Sequence, residues 1–337
     1  MDYTNTILSG IIVLKLGKKY VYVNPFSAED KTFADFFSKE QYDDAIIDGI
    51  WTQEEAEKHL INEGYLDSNC DDQIQDLIEK IENMKVDYFN HFYSSETKKY
   101  IKFNIQKQED RISDIYQKKN LFYDKTCEYL KRYSFLSYLL QKNTYLENGN
   151  LACDDYSVQG IYNKYIAVTN KIGSKTRNIA NTNEWKNRWY SLKIDAFENK
   201  PSSFTELQIS VISWSTYYES ISQSPDKPSD EIIDDDIALD GWSITEKRKR
   251  KEEEKKKSAE KMLPKNMKNA GEIFIPATSR KQAEDILSLN NMQAKAQIKS
   301  LRKDLEEHGA INDSDLTNTK RELQMQSIRM QKENRRK

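Results

Sequence analysis

The chain has 337 residues, 32% of them charged and 37% hydrophobic, enough for about two domains with a real core but too polar for one compact globule alone. Glycine (10) and proline (6) are scarce, which excludes a turn-rich β architecture and favours long helices. The net charge of −3 conceals 28 Lys+Arg against 40 Asp+Glu over residues 1–242, a net of −12, and 24 against 15 over residues 243–337, a net of +9. Such an acidic body and basic tail can attract each other or separate partners.

Ile11–Leu16 and Tyr20–Val23 are β-branched and aromatic runs joined by Gly17-Lys18-Lys19, a β-hairpin signal that Asn24-Pro25 ends. Ser27-x-x-Asp30 starts a helix carrying Phe33, Phe36 and Phe37. Thr52 with Glu55 makes a capping box for a helix that Gly64 stops. Residues 1–70 therefore predict a small α+β head.

From Asp72 to about Tyr145 the pattern is helical. Ile74, Leu77, Ile78, Ile81, Tyr88 and Phe92 share one face, and Ser94-Ser95 breaks this helix from the next. A second stripe runs from Ile112 to Tyr133, and an antiparallel helical hairpin is the expected packing. Trp185, Trp189, Leu192 and Ala196 continue the spacing, as do Leu207, Val211, Trp214, Tyr218 and Ile221 after a capping box at Ser203 and Glu206. Residues 71–222 thus predict a helical body.

Gln223–Ser229 holds Pro225 and Pro228 and predicts a hinge, followed by an acidic helix over Asp230–Asp240 with Ser229 as N-cap, so that 223–242 is a hinge and acidic segment. Residues 243–337 predict a basic helical arm. In its first part, KRKRKEEEKKK over 247–257, Glu252 and Glu253 stand four residues before Lys256 and Lys257. Further on come a short extended run over 272–276 and a helix from Ser279 with Leu301 and Leu305 on its apolar side. Last is a polar helix from about Ser314. The fold class expected is mainly α, with a small N-terminal hairpin. Residues 243–337 are expected to be the partner-seeking arm, so a chain ending after Ser229 should keep a folded body but lose its partner.

Candidate chemistry is sparse. Cys70, Cys127 and Cys153 are scattered and odd in number, which suits neither a disulfide framework nor a zinc site and implies reduced thiols. His59, His91 and His308 have no neighbouring ligand residues. Gly173-Ser174-Lys175-Thr176 is similar to the end of a phosphate-binding loop, but Ser174 and Thr169 stand where that pattern needs glycines. Read as a calcium loop from Asp236, the acidic segment puts Gly241 at the sixth position but Ala238 and Lys247 where ligands belong. The basic run fits intrahelical ion pairing or, less economically with three glutamates in it, phosphate contact. Trp242, after Asp240 and Gly241, is either an exposed binding anchor or a residue packed on the helical body. No catalytic residue, cofactor or metal is expected. The candidate partner-binding residues are Asp240, Gly241, Trp242, Leu301 and Leu305. The opening Met1-Asp2-Tyr3 has no basic n-region and no apolar run nears the ~20 residues of a membrane span, so neither a secretory leader nor a membrane is expected.

Several stretches taken in order resemble a group of tailed-bacteriophage proteins, regarded as virion or tail-assembly (tail-chaperone-like) components. They are Gly17-Lys18-Lys19-Tyr20, Asn24-Pro25-Phe26-Ser27-Ala28-Glu29-Asp30, Asp43-Asp44-Ala45-Ile46-Ile47-Asp48-Gly49, Pro228-Ser229-Asp230-Glu231, Leu239-Asp240-Gly241-Trp242 and Arg321-Glu322-Leu323-Gln324-Met325-Gln326. Residues 143–181 contribute nothing to the likeness. It implies a non-enzymatic protein of the host cytoplasm or the virion that meets phage tail or other virion proteins, or further copies of itself, through its helices. The rival readings are a nucleic-acid-associated packaging or regulatory protein that uses the basic arm, and a metal-dependent enzyme built on the acidic segment.

Overall fold

Gly17, at φ 61°, supplies the left-handed residue that a two-residue hairpin turn needs. It joins β1 (Ile12–Leu16) to β2 (Lys19–Val23), with Ile12 opposite Val23 and Leu16 opposite Lys19. Ile12, Leu14 and Leu16 point inward while Val13 and Lys15 face out, the period-2 pattern of a half-buried strand. A short helix, α1 (Thr4–Ser9), precedes the hairpin. The computed structural model describes the backbone of residues 3–262 and the side chains of residues 3–255.

The sheet has a third member that the sequence pattern does not announce. β3 (Thr144–Leu146) pairs antiparallel with β2, placing Val23 opposite Thr144 and Val21 opposite Leu146. The hairpin therefore does not belong to a separate head over 1–70. Its third strand and the helices that cover it come from the segment read as body, because three residues directly after a helix carry no strand period of their own.

The helices follow in order. α2 (Ala28–Ile47) starts at Ser27, whose Oγ accepts the Asp30 N–H at 3.0 Å. α3 (Gln53–Asn62) has the expected capping box between Thr52 and Glu55. α4 (Cys70–Asn90) and α5 (Ser95–Lys119) form an antiparallel pair: Lys119 reaches Asp71 at one end, 2.7 Å away, and Lys98 lies over the Tyr88 ring at the other. α6 (Cys127–Asn143) packs along α2. Glu128 at its start accepts the Gln53 N–H at 2.7 Å, tying α6 to α3. α7 (Val158–Gly173), α8 (Thr176–Asn181), α9 (Asn183–Leu192) and α10 (Glu206–Ser222) come next, with α7 across β1. α11 (Asp230–Ile233) and α12 (Asp236–Met262) complete the described elements.

The capping box of α10 lies two residues beyond the expected one. Thr205 Oγ1 accepts the Gln208 N–H and the Gln208 side chain returns to the Thr205 N–H at 2.9 Å. Gln208 is wholly buried, and its Nε2 also donates to the Ile7 carbonyl at 2.9 Å, fixing α1 on α10. Pairing to that carbonyl is what makes a buried amide tolerable.

One large core joins α1, the sheet, α7, α9, α10 and the start of α12, through Leu14, Val21, Ile161, Trp185, Val211, Leu239 and their neighbours. Trp185 donates to Ser215 Oγ at 2.8 Å and Trp189 to Glu219 at 3.0 Å, so both indoles bury with their N–H satisfied. The chain divides into two units, residues 1–244 and 245–337. Of the second, the described residues are helical, those from 247 to 255 are exposed, and Lys249 meets Glu246 at 2.7 Å.

Candidate functional site

The acidic segment is built around one capping carboxylate. Asp235 Oδ1 accepts the N–H groups of Ile237 and Ala238, both at 3.2 Å, and so starts α12. The expected single helix over Asp230–Asp240 is thus two, and Ser229 makes no side-chain cap. The other oxygen of Asp235 accepts the Tyr88 hydroxyl at 2.9 Å and lies 3.0 Å from Lys98. Burial pushes the Asp235 carboxyl up, but the Lys98 ammonium, the Tyr88 hydroxyl and the Ala238 N–H outweigh it and hold the group below the usual aspartate range. Burial and the neighbouring Asp235 push the Tyr88 hydroxyl far above its ordinary value.

Asp236 and Asp240, one helical turn apart, grip Arg177 of α8 at 2.7 and 2.9 Å. The guanidinium lies over the Trp214 ring, 4.6 Å from its centroid. Asp240 also meets Lys85 of α4 at 2.8 Å. Every one of these acids faces a cation or a hydroxyl of the body, so the segment is an ion-paired dock and not an open carboxylate cluster.

Gly241 sits where α12 crosses α4. A Cβ there would be 2.0 Å from the Lys85 carbonyl oxygen and 2.8 Å from Phe89 Cβ. Trp242 next to it is 8% exposed and belongs to the large core, with Ala238 and Leu239 fully buried one turn earlier. Of the two readings of Trp242, the structure has the packed one. Gly241 and Trp242 are buried, and Asp240 is half-buried and ion-paired with Arg177 and Lys85. Leu301 and Leu305 lie outside the described residues, as do His308 and the run over 272–276. Gln223–Ser229, the expected hinge, connects helices that both enter the core, since Ile221, Ile232 and Ile233 are all buried.

Thr176, His59 and Cys127 each have close contacts within the body. Thr176 of the GSKT stretch is buried, bonding the Gly173 carbonyl at 2.8 Å and Ser210 at 2.9 Å. His59 packs between Trp51 and Phe122. Cys127 Sγ donates to the Ile50 carbonyl at 3.1 Å. The open groove between α4 and α5 is lined by Asp76, Lys80, Arg111 and Asp114, with no Ser, Cys or His among its walls. Among the described residues no three His, Cys, Asp or Glu are placed to hold a metal ion. No described helix is long and apolar enough to cross a membrane.

A different surface emerges on α2 and α5, one that the apolar pattern hides. Phe33, Phe36 and Ile47 of α2 are 52%, 72% and 81% exposed. On α5, Tyr100 and Phe103 stand out while Ile105 is the residue buried against its neighbours. α2 buries Ala34, Ser38 and Ala45 and leaves its phenylalanines outside. The signal that finds this is the small-residue stripe at spacings of four and seven. It lets α2 lie close on α6 and turns the phenylalanines outward. No protein-family model, curated protein or solved structure matches the chain.

Proposed function

We propose that the chain is a non-enzymatic phage structural or tail-assembly accessory protein that works by presenting helix faces to other virion proteins. The observation that carries the protein-binding part is the set of large apolar side chains exposed on α2 and α5, with Phe36 and Ile47 of α2 and Tyr100 and Phe103 of α5 each more than two-thirds exposed. Exposed apolar patches rimmed by charge mark interaction sites. The assembly context comes from the phage-protein resemblance, which implies the host cytoplasm or the particle as the place of action. Residues 243–337, at a net of +9, serve as a second binding segment.

The test is a nuclease-treated co-purification of the intact protein from cells producing the phage, with partners quantified by mass spectrometry. Tail or other virion proteins recovered in fixed stoichiometry support the reading. Partners recovered only when nucleic acid is left intact overturn it in favour of a packaging or regulatory role, with the steep salt dependence that phosphate contacts impose.

A further inference from the structure

The outer face of α2 has a heptad spacing. Phe33, Phe37, Glu40, Asp44 and Ile47 recur at intervals of four and three, and Phe36 and Asp43 flank the same line. This is the seam geometry of a two-helix coiled coil. All five seam residues are exposed, beside the Ala34, Ser38, Ala45 stripe that α2 buries where it packs on α6. The seam is apolar at both ends and acidic in the middle. Phe37 rests against Tyr138 at a centroid distance of 5.6 Å, which steadies one end. Lys39 is drawn to Asp35 at 2.6 Å, beside the seam. Glu40, Asp43 and Asp44 meet no cation within ion-pair distance among the described residues.

We propose that this seam receives an amphipathic helix of a partner protein, about four turns long, whose pattern is apolar, basic, basic, apolar. The length follows from the 14-residue separation of Phe33 and Ile47, roughly 21 Å of helix. Its charge follows from the three carboxylates. A second copy of α2 would bring those carboxylates against their own kind, and an anionic lipid surface would repel them. A polar pair at central seam positions also fixes register, since a slipped partner would set its basic groups against phenylalanine. The inference rests on the protein-binding reading above and names the partner's chemistry for one of its surfaces.

The probe is a fluorescein-labelled synthetic helix with Leu at the outer seam positions and Lys at the central ones, titrated with the full chain and read by anisotropy. Two controls accompany it: the same helix with Glu for Lys, and one with Leu and Lys positions exchanged. The Lys helix is expected to bind at least about tenfold more tightly than either control. The double variant Phe36→Ser, Ile47→Ser removes only exposed side chains, so its melting temperature should be unchanged, and it should weaken the Lys helix by at least about tenfold. The double variant Glu40→Lys, Asp44→Lys should prefer the Glu helix. Equal binding of the Lys helix to the native chain and to the serine variant would mean diffuse attraction to an acidic body and overturns the proposal. So does self-association in sedimentation, or uptake on phosphatidylcholine vesicles, that the serine variant abolishes. If virion proteins still co-purify with the serine variant, the seam assignment fails while the broader protein-binding reading stands.

Discussion

A methyl group on Gly241 would have to occupy space 2.0 Å from the Lys85 carbonyl oxygen, a backbone atom that cannot swing away. In a free helix, Gly→Ala gains about 1 kcal/mol. Here Gly241→Ala should instead destabilise by about 1–3 kcal/mol, the usual cost of overpacking, because α12 and α4 must part. Urea unfolding midpoints read the sign directly, and a stabilised variant would show that the crossing is looser than this geometry. Asp235 offers a second test. Its folded pKa lies below its unfolded value of about 3.9. The stability it contributes is therefore full above that unfolded value and is lost as pH falls through the folded one. The stability gap between the native chain and Asp235→Asn should be largest near neutral pH and close below about pH 4. A gap that persists unchanged into acid would mean that packing, and not the charge, holds this residue. At this scale the sequence is legible only in part. Gly241 beside Trp242 is visible as an unusual pair, but the need for glycine comes from Lys85 and Phe89, some 150 residues away, and the indole is inside because it joins a core drawn from the whole body.

Helix starts are where local chemistry and chain order agree best. Ser27 and Thr52 cap as their sequences say, because a side-chain oxygen and the N–H three residues on need nothing from the rest of the fold. The start of α10 differs by two residues. Ser203 with Glu206 has the right spacing, yet Thr205 with Gln208 is used, since only that register brings Gln208 under Ile7 and Asn199. Thr205→Ala should therefore lower stability by about 1 kcal/mol. Ser203→Ala should be close to neutral, because Ser203 Oγ donates to the Lys200 carbonyl at an exposed site. Thermal unfolding of the two variants side by side decides it, and the reverse order would restore the earlier cap. β3 shows the limit of element-scale reading. Thr144-Tyr145-Leu146 is too short to display a period and becomes a strand only because β2 presents an edge to it. In α2 the pattern was legible but easily inverted: phenylalanines suggest core, and only the Ala34, Ser38, Ala45 stripe tells which side is in.

For the molecule as a whole, the question is where the folded body ends. A loop with two prolines at 223–229 invites a cut after Ser229. Yet the residues beyond it fill the core: Ile232, Ile233, Ala238, Leu239 and Trp242 are each no more than 8% exposed. Burying a large apolar side chain contributes about 1.5–3 kcal/mol, while an entire domain is stable by only about 5–15 kcal/mol. The same cut removes the carboxylates that Arg177, Lys85 and Lys98 meet, leaving partly buried cations unpaired. A chain ending after Ser229 should accordingly lose cooperative thermal unfolding or melt far below the full chain. One ending after Lys255 keeps about three helical turns beyond Ile244 and should melt close to it. Circular dichroism melts of the two truncations against the full chain make the comparison. Equal melting temperatures would mean that 230–244 is an accessory to a core complete without it, and 223–229 would regain its role as a hinge. The same boundary governs tests of partner binding. If a cut at Ser229 unfolds the body, lost binding reflects lost structure, and only the cut after Lys255 separates the contribution of the basic segment from that of α2 and α5.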